Sequence, residues 1–129
     1  MSISSVVARP LLAGIFVYGG LDAFRNPAGK VPKAEVVAPD IADLVGVDAD
    51  TEQLVQFNGA VQIGAGITLA LGIFPRLSAF ALATSLIPTT LAGHRFWEVE
   101  DEAARTQQTF QFLKNAATFG GLLLVIEHG

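Results

Sequence analysis

Long apolar stretches alternate along the chain with shorter connections that carry most of its charge. Four of these stretches are close to the roughly 20 residues that an α-helix needs to cross about 30 Å of hydrocarbon. The pattern predicts an all-α fold, an antiparallel four-helix transmembrane bundle built as one domain over residues 1–129. The predicted spans are residues 6–24, 52–74, 77–97 and 106–126.

Local signals help to place the ends of these spans. Asp50 followed three residues later by Gln53 predicts a helix N-terminus, because each side chain can accept a hydrogen bond from the other residue's backbone. Only Phe74-Pro75-Arg76 remains between the second and third spans, so these helices are expected to be antiparallel neighbours. Pro88 is expected to kink the third helix, since it removes one backbone donor.

Composition supports a membrane protein of several spans, with the lipid bilayer of the cell membrane as its solvent. Half of the residues (51%) are apolar and only 16% are charged, whereas a soluble domain carries about 25% charged residues. The chain has no cysteine, which excludes disulfides, iron–sulfur clusters and thiolate zinc sites. A net charge of -4 argues against a nucleic acid as partner.

Two longer connections, residues 25–51 and 98–105, contain most of the acidic residues. Four spans place both connections on the same side of the membrane. The first connection includes APDIADLVGV, whose Ile41, Leu44 and Val45 are expected to form one face of a short surface helix.

Polar residues within the predicted spans lie in the half of the membrane nearest these connections, whereas the opposite half is almost wholly apolar. They form the candidate binding cluster. Its members are Asp22, Gln56, Asn58, Gln62, His94, Gln111, Lys114 and Asn115.

Lys114 is the most informative member of this cluster, because burying an unpaired charge in a membrane costs several kcal/mol. One interpretation is that Lys114 pairs with Asp22 and fixes the bundle. A second is a functional site built around that pair and open to the side of the long connections. In the third, Lys114 extends its amine to the lipid headgroups.

The segment His94-Arg95-Phe96-Trp97 lies where the third span leaves the membrane. Arg95, Phe96 and Trp97 are expected to be interfacial anchors, because Trp and Arg favour the headgroup level. His94 could carry a proton, since imidazole titrates near neutrality. No metal site is predicted, because no second histidine lies nearby. His128 follows the fourth span at the opposite face, which excludes a bis-histidine haem within one chain.

Small residues recur at every fourth position in two spans. They are expected to be seams where helices pack closely, with the lining of a ligand cavity as the alternative. In the second span these residues are Ala60, Gly64, Thr68 and Gly72, and in the third they are Ala81, Ser85, Thr89 and Gly93.

Four segments of the chain resemble the DoxX family: RPLLAGIFVYGG, GAVQIGAGITLALGIFPRLSAF, HRFW and QFLKNAATFGGLLLV. The resemblance covers most of the chain outside residues 25–51. It implies a small four-helix membrane protein. Some members are associated with thiosulfate:quinone oxidoreduction, and others with membrane oxidoreductase complexes that include superoxide dismutase and a sulfurtransferase. Gln62 stands where many members carry a glutamate, and Asp22 lies near a position that most fill with a basic residue or histidine.

The resemblance and the polar cluster together lead to a functional hypothesis. The chain is expected to be an accessory or anchoring subunit of a quinone-linked redox complex. Its one-sided polar pocket would hold a quinone-like head group or dock a membrane or peripheral protein. No covalent cofactor and no catalysis by the chain alone are expected, because it lacks a recognisable catalytic constellation.

Two alternatives remain. The first is a non-catalytic scaffold that binds a soluble partner through its acidic connections. The second is a small-solute transporter, which is less favoured because the apolar half offers no polar path across the membrane.

Overall fold

The computed structural model describes residues 2–35, 38–46, 50–93 and 96–129, and within these ranges the secondary structure is helical. Four helices are long, and two short ones lie in the first connection. Single 3₁₀ turns occupy Pro27–Lys30 and Phe96–Glu98. The α-helices are α1 Ile3–Arg25, α2 Val31–Ala34, α3 Ala38–Val45, α4 Thr51–Leu71, α5 Pro75–Gly93 and α6 Glu102–His128.

Three of the four predicted spans fall on helices that are long and apolar enough to cross a membrane. Among the described residues these helices are α1, α4 and α6, with 23, 21 and 27 residues. The remaining predicted span falls on α5, which has 19 residues and contains Pro75, Arg76 and Pro88 and is not among these three helices.

Side-chain caps define where the long helices begin. Asp50 accepts a hydrogen bond from the Gln53 backbone N–H at 2.8 Å, and Gln53 Oε1 accepts from the Asp50 backbone N–H at 3.1 Å. The predicted capping pair at the start of α4 is therefore confirmed. In α6 the carboxylate of Asp101 accepts from the Ala104 N–H at 2.9 Å.

The long helices pack in the order α1, α4, α5, α6, and α1 contacts α6 only sparsely. Along α1 and α4 the contacts run in opposite directions, because Gly20 lies against Gly59 whereas Val17 lies against Gly66. These two helices are therefore antiparallel neighbours.

The close contact between α1 and α4 does not involve the Gly64 position of the small-residue series Ala60, Gly64, Thr68 and Gly72. A Cβ on Gly59 would lie 2.7 Å from the carbonyl oxygen of Gly20, so the two backbones touch there. By contrast, no atom lies within 4 Å of a Cβ built on Gly64. The prediction for the Ala60–Gly64 side of α4 was wrong, because the face that starts one residue earlier packs against α1.

The turn between α4 and α5 reverses the chain within three residues. Gly72 adopts a left-handed conformation with φ of 73°, which glycine tolerates without steric cost. The Ile73 N–H donates to the Thr68 carbonyl at 2.8 Å, and the Gly72 N–H donates to that of Leu69 at 3.0 Å. This hydrogen-bond pattern closes the C-terminus of α4 as a Schellman motif.

The apolar core occupies the half of the bundle away from the long connections. It combines residues of all four long helices, and the largest fully buried side chains are Leu69, Leu82 and Leu122. One hydroxyl pair also lies in this half, where Thr68 Oγ1 and Ser78 Oγ are 2.6 Å apart. This pair is a polar contact within the half that the sequence predicts to be almost wholly apolar.

In the first connection, the turn at Pro27–Lys30 packs against α4, and α2 packs against α4 and α5. The short helix predicted in APDIADLVGV is present as α3. Ile41 is half-buried, whereas Leu44 is 86% exposed, so the expected apolar face only partly meets the bundle. The side chain of Val45 lies outside the described residues.

Candidate functional site

A network of amide and hydroxyl side chains joins α4 to α5. The Asn58 amide donates to Thr89 Oγ1 at 3.0 Å, and Asn58 Oδ1 accepts from Ser85 Oγ at 2.6 Å. The Gln62 amide donates to Ser85 Oγ at 3.0 Å and to Thr89 Oγ1 at 3.3 Å. Thr89 Oγ1 in turn donates to the Ser85 carbonyl at 3.0 Å. These four side chains therefore bond mainly to each other.

Burial explains why this network forms. Gln62 and Ser85 are buried inside the bundle, where an unbonded polar group costs free energy. Each side chain supplies what its neighbour lacks, because amide nitrogens donate and hydroxyl oxygens both accept and donate. The arrangement stabilises the contact between α4 and α5 and gives it a fixed register.

A second polar contact lies on a different face of α5 and joins it to α6. The Asn115 amide donates to Thr90 Oγ1 at 3.0 Å, and Thr90 Oγ1 donates to the Leu86 carbonyl at 2.8 Å. The Asn115 side chain is buried. This contact forms part of the wall of a surface groove.

The groove runs between α5 and α6 and encloses about 220 Å³. Its walls are almost entirely apolar, and Thr90 and Asn115 provide its polar side chains. Its lining residues are Leu86, Ile87, Thr90, Leu91, Phe112, Asn115, Ala116 and Phe119. The groove is shallow and open, and its volume is smaller than the roughly 300 Å³ at which typical small-molecule pockets begin.

The expected pair of Lys114 and Asp22 is not formed. Asp22 makes an ion pair with Lys30 at 2.8 Å and accepts from the Asn26 amide at 3.2 Å. Lys114 instead donates to Gln111 Oε1 at 2.7 Å on its own helix. Both side chains are exposed, so a functional site built around the pair is wrong as well. The reason is that the chain after α1 folds back and supplies Asp22 with a closer cation.

The candidate cluster is therefore divided among separate places. Asn58 and Gln62 face α5, Asn115 lies in the groove, and Gln111 and Lys114 lie on the exposed side of α6.

The remaining members of the candidate binding cluster are Gln56 and His94. The Gln56 amide donates to the Phe24 carbonyl at 3.3 Å and so joins α4 to α1. The predictions for His94 and Arg95 fall outside the described residues.

Phe96 and Trp97 belong to a cluster of three aromatic rings at the end of α5. The Phe96 and Phe112 centroids are 5.2 Å apart, and those of Trp97 and Phe112 are 5.8 Å apart, both in edge-to-face geometry. Such pairs are favourable contacts between aromatic rings. The cluster joins the segment after α5 to α6, and the proposed anchoring role of Phe96 and Trp97 stays a prediction.

The role of these hydroxyl residues as partners for the amides was not predicted from the sequence. Ser85 and Thr89 were assigned to a packing seam, and they do face α4. Thr90 bonds to Asn115 on the other side of α5. The spacing of these residues could have indicated their partners. Residues 85 and 89 share one face of a helix, and residue 90 lies about 100° further round, so Ser85 and Thr89 are expected to face one neighbouring helix and Thr90 another.

At the far end of the bundle, Arg9 joins α1 to α6. Its Nη2 donates to the Gly129 carbonyl at 2.7 Å, and the arginine is only 8% exposed. Arg76 of α5 also approaches Gly129, since its Nε lies 3.6 Å from the position of a Cβ there. Cations near the C-terminus of a helix interact favourably with its dipole.

Across residues 2–35, 38–46, 50–93 and 96–129, no three His, Cys, Asp or Glu side chains are grouped as a metal site requires.

In the comparison with known proteins, the DoxX family model matches residues 4–95. This interval includes α4, α5 and all of α1 except Ile3, and with them the whole amide–hydroxyl network between α4 and α5. No curated protein matches the chain, and neither does any solved structure.

Proposed function

Because the chain belongs to the DoxX family, we propose that it is a four-helix antiparallel bundle of the cell membrane and a non-catalytic subunit of a quinone-linked redox complex. The groove between α5 and α6 would hold the polar head of a quinone-like molecule. The association of some family members with quinone-dependent oxidoreduction supports this proposal.

The proposed bundle requires that α5 crosses the membrane with the other three long helices. Its 19 residues extend about 28 Å, at about 1.5 Å per residue, close to the roughly 30 Å of hydrocarbon. It lies between α4 and α6, which are both apolar enough to span. The hydroxyl groups of α5 are compatible with a membrane interior, because they bond to amides of those neighbours or to carbonyls of the helix itself.

The chemistry of the groove carries the quinone part of the proposal. An Asn amide has two N–H donors, and one of them bonds to Thr90. Because Asn115 is buried beneath the apolar surface of the groove, the second would donate to a ring carbonyl of a head group that enters between the side chains covering it. Leu86, Ile87 and Phe119 would contact the apolar remainder of the molecule.

The test measures binding of a soluble quinone analogue, decylubiquinone, to the purified protein in lipid nanodiscs. Trp97 is the only tryptophan, and its ring contacts Phe112 of the groove, so bound quinone should quench its fluorescence. We expect Asn115→Leu to weaken binding about 10-fold, as loss of one hydrogen bond in a dry site would.

Asn58→Leu is the matched control, because it removes the same amide on the other side of α5. It should leave the affinity for the analogue unchanged. Quenching that does not saturate, or that responds equally to both substitutions, would contradict the proposal for the groove.

A scaffold without a ligand is the second candidate function. It is favoured by the network of Asn58 and Gln62, whose donors are used within the bundle. In this case the exposed acidic segment near Asp101 would bind a soluble partner. Asn115→Leu would then lower the stability of the protein and leave the turnover of the intact complex unchanged.

A further inference from the structure

A second groove lies on the outer surface of α6, near the N-terminal end of that helix. It encloses about 250 Å³ and is open to its surroundings. Its lining residues all belong to α6, and they are Arg105, Thr106, Thr109, Phe110 and Leu113. The groove is therefore separate from the one between α5 and α6, and the proposed function does not involve it.

The length of α6 places this groove at the membrane surface. Its 27 residues extend about 40 Å, at about 1.5 Å per residue, close to the roughly 40–45 Å of a bilayer with its headgroup layers. Residues 106–126, which are uncharged except for Lys114, cover the hydrocarbon. Arg105 therefore lies among the headgroups, whereas Phe110 and Leu113 lie in the hydrocarbon.

The headgroup end of the groove carries a cation with donors left for a ligand. Arg105 Nε donates to the Val99 carbonyl at 2.8 Å, which holds the side chain in place. A guanidinium has five N–H donors, so the two terminal nitrogens keep four. Arginine binds phosphate well, because two of its N–H groups donate to two phosphate oxygens at once. Within the described part of the chain Arg105 forms no ion pair.

An acidic residue lies just above this cation on the groove side of α6. Glu102, Thr106, Thr109 and Leu113 follow each other at spacings of four, three and four residues, so they share one face of the helix. Glu102 is exposed, and none of the described residues forms an ion pair with its carboxylate. From the membrane surface inwards, the side chains here are therefore anionic, cationic, hydroxyl and finally apolar.

Space for an acyl chain continues below the groove. Ala117 and Gly120 are exposed on the same side of α6, and no atom lies within 4 Å of a Cβ built on Gly120. The exposed side chains of Leu113 and Leu124 border this stretch above and below. An extended hydrocarbon chain can therefore lie against the helix without displacing a side chain of the protein.

We infer that this face of α6 binds a phospholipid whose headgroup ends in a primary ammonium, as in phosphatidylethanolamine. From the surface inwards such a lipid carries an ammonium, a phosphate, an ester-linked glycerol and acyl chains. The ammonium would donate to Glu102 and the phosphate would accept from Arg105, while the chains follow the apolar residues. The inference rests on the proposed membrane bundle.

Two other headgroups fit this face less well. A lipid with net negative charge is disfavoured, because Asp101 and Glu102 lie close to Arg105 in the sequence and repel an anion. Choline carries a positive charge but no N–H, so it cannot donate a hydrogen bond to the carboxylate of Glu102.

The test is native mass spectrometry of the purified protein, released from detergent micelles that contain one added lipid. It compares phosphatidylethanolamine, phosphatidylcholine and phosphatidylglycerol with the same acyl chains and measures the lipid that the protein retains. We expect the natural chain to bind the ethanolamine lipid about 3- to 5-fold more tightly than the choline lipid, as one exposed ion pair allows. The glycerol lipid should bind most weakly.

Two substitutions separate the parts of the site. Glu102→Gln should abolish the preference for ethanolamine over choline and leave the affinity for phosphatidylcholine unchanged. Arg105→Gln should weaken both lipids about equally, because both contain the phosphate. Glu127→Gln is the matched control for Glu102→Gln, since it removes an exposed carboxylate of the same helix at the opposite surface. It should leave the preference for ethanolamine unchanged.

Equal affinity of the natural chain for the ethanolamine and choline lipids would overturn the inference, and so would equal effects of Glu102→Gln and Glu127→Gln. Quenching of Trp97, the only tryptophan, by brominated lipids in vesicles reports membrane insertion independently. Quenching without a headgroup preference would remove the lipid site alone, whereas the absence of quenching would contradict the membrane bundle itself.

Discussion

At the scale of single residues, the buried amides of this protein are bound by hydroxyl groups of the neighbouring helix. Gln62 donates to both Ser85 and Thr89. In a membrane interior no water replaces a lost partner, although measured hydrogen bonds between membrane helices average only about 0.6 kcal/mol and reach about 1.7 kcal/mol. The two bonds of Gln62 should therefore have a modest and measurable effect.

We predict that Gln62→Ala lowers the free energy of unfolding by about 1 kcal/mol, because Ser85 and Thr89 lose a donor. The measurement is denaturant unfolding in detergent micelles. Gln107→Ala is the control, since Gln107 is exposed on α6 and its loss should change little. Equal effects of the two substitutions would contradict a specific role for the network.

At the scale of helices, backbone contact between α1 and α4 depends on glycine. A methyl group on Gly59 would lie 2.7 Å from the Gly20 carbonyl oxygen and 3.1 Å from the Phe24 backbone nitrogen. Backbone atoms cannot move aside as a flexible side chain can, so the two helices would have to separate. Small residues are required here because lipid gives helices no hydrophobic reason to associate.

We expect Gly59→Ala to destabilise the protein by about 1–3 kcal/mol, as overpacking does elsewhere. Gly64→Ala is the matched control on the same helix, because nothing lies within 4 Å of the added methyl group. It should be neutral or stabilising by up to about 1 kcal/mol, owing to the better helix propensity of alanine. Thermal unfolding in the same detergent measures the stability of both variants. A larger loss of stability for Gly64→Ala than for Gly59→Ala would show that a different face of α4 packs against α1.

Helix positions followed from the sequence, whereas helix faces did not. Uncharged runs and the Asp50–Gln53 pair located α4 correctly, because length and capping are local properties. The sequence pattern predicted the packing face at Gly64, whereas the structure places it at Gly59. The surface of a membrane helix is apolar on every side, so no amphipathic pattern marks the buried face. Small residues occur on both faces of α4, and only the structure distinguishes them.

At the scale of the whole molecule, α1 and α6 are the ends of a row of four helices. They contact each other near Gly121 and Gly129, and the total contact between these two helices is small. The candidate pair of Asp22 and Lys114 failed at this scale. Both residues lie toward the end of the bundle that carries the long connections, as the sequence predicts, but the sequence did not give their direction around the bundle. Nor could it show that Lys30 folds back onto Asp22.

Within the described part of the chain, the contacts of α1 with α6 at Arg9–Gly129 and Leu12–Gly121 lie toward the end of the bundle away from the long connections. Cysteine cross-linking tests this most directly, because the natural chain has no cysteine. Leu12→Cys with Gly121→Cys should be bridged by dibromobimane within one chain in native membranes, since Leu12 lies 3.5 Å from a Cβ at position 121. Asp22→Cys with Lys114→Cys should remain unbridged. Efficient bridging of the second pair and none of the first would contradict the account.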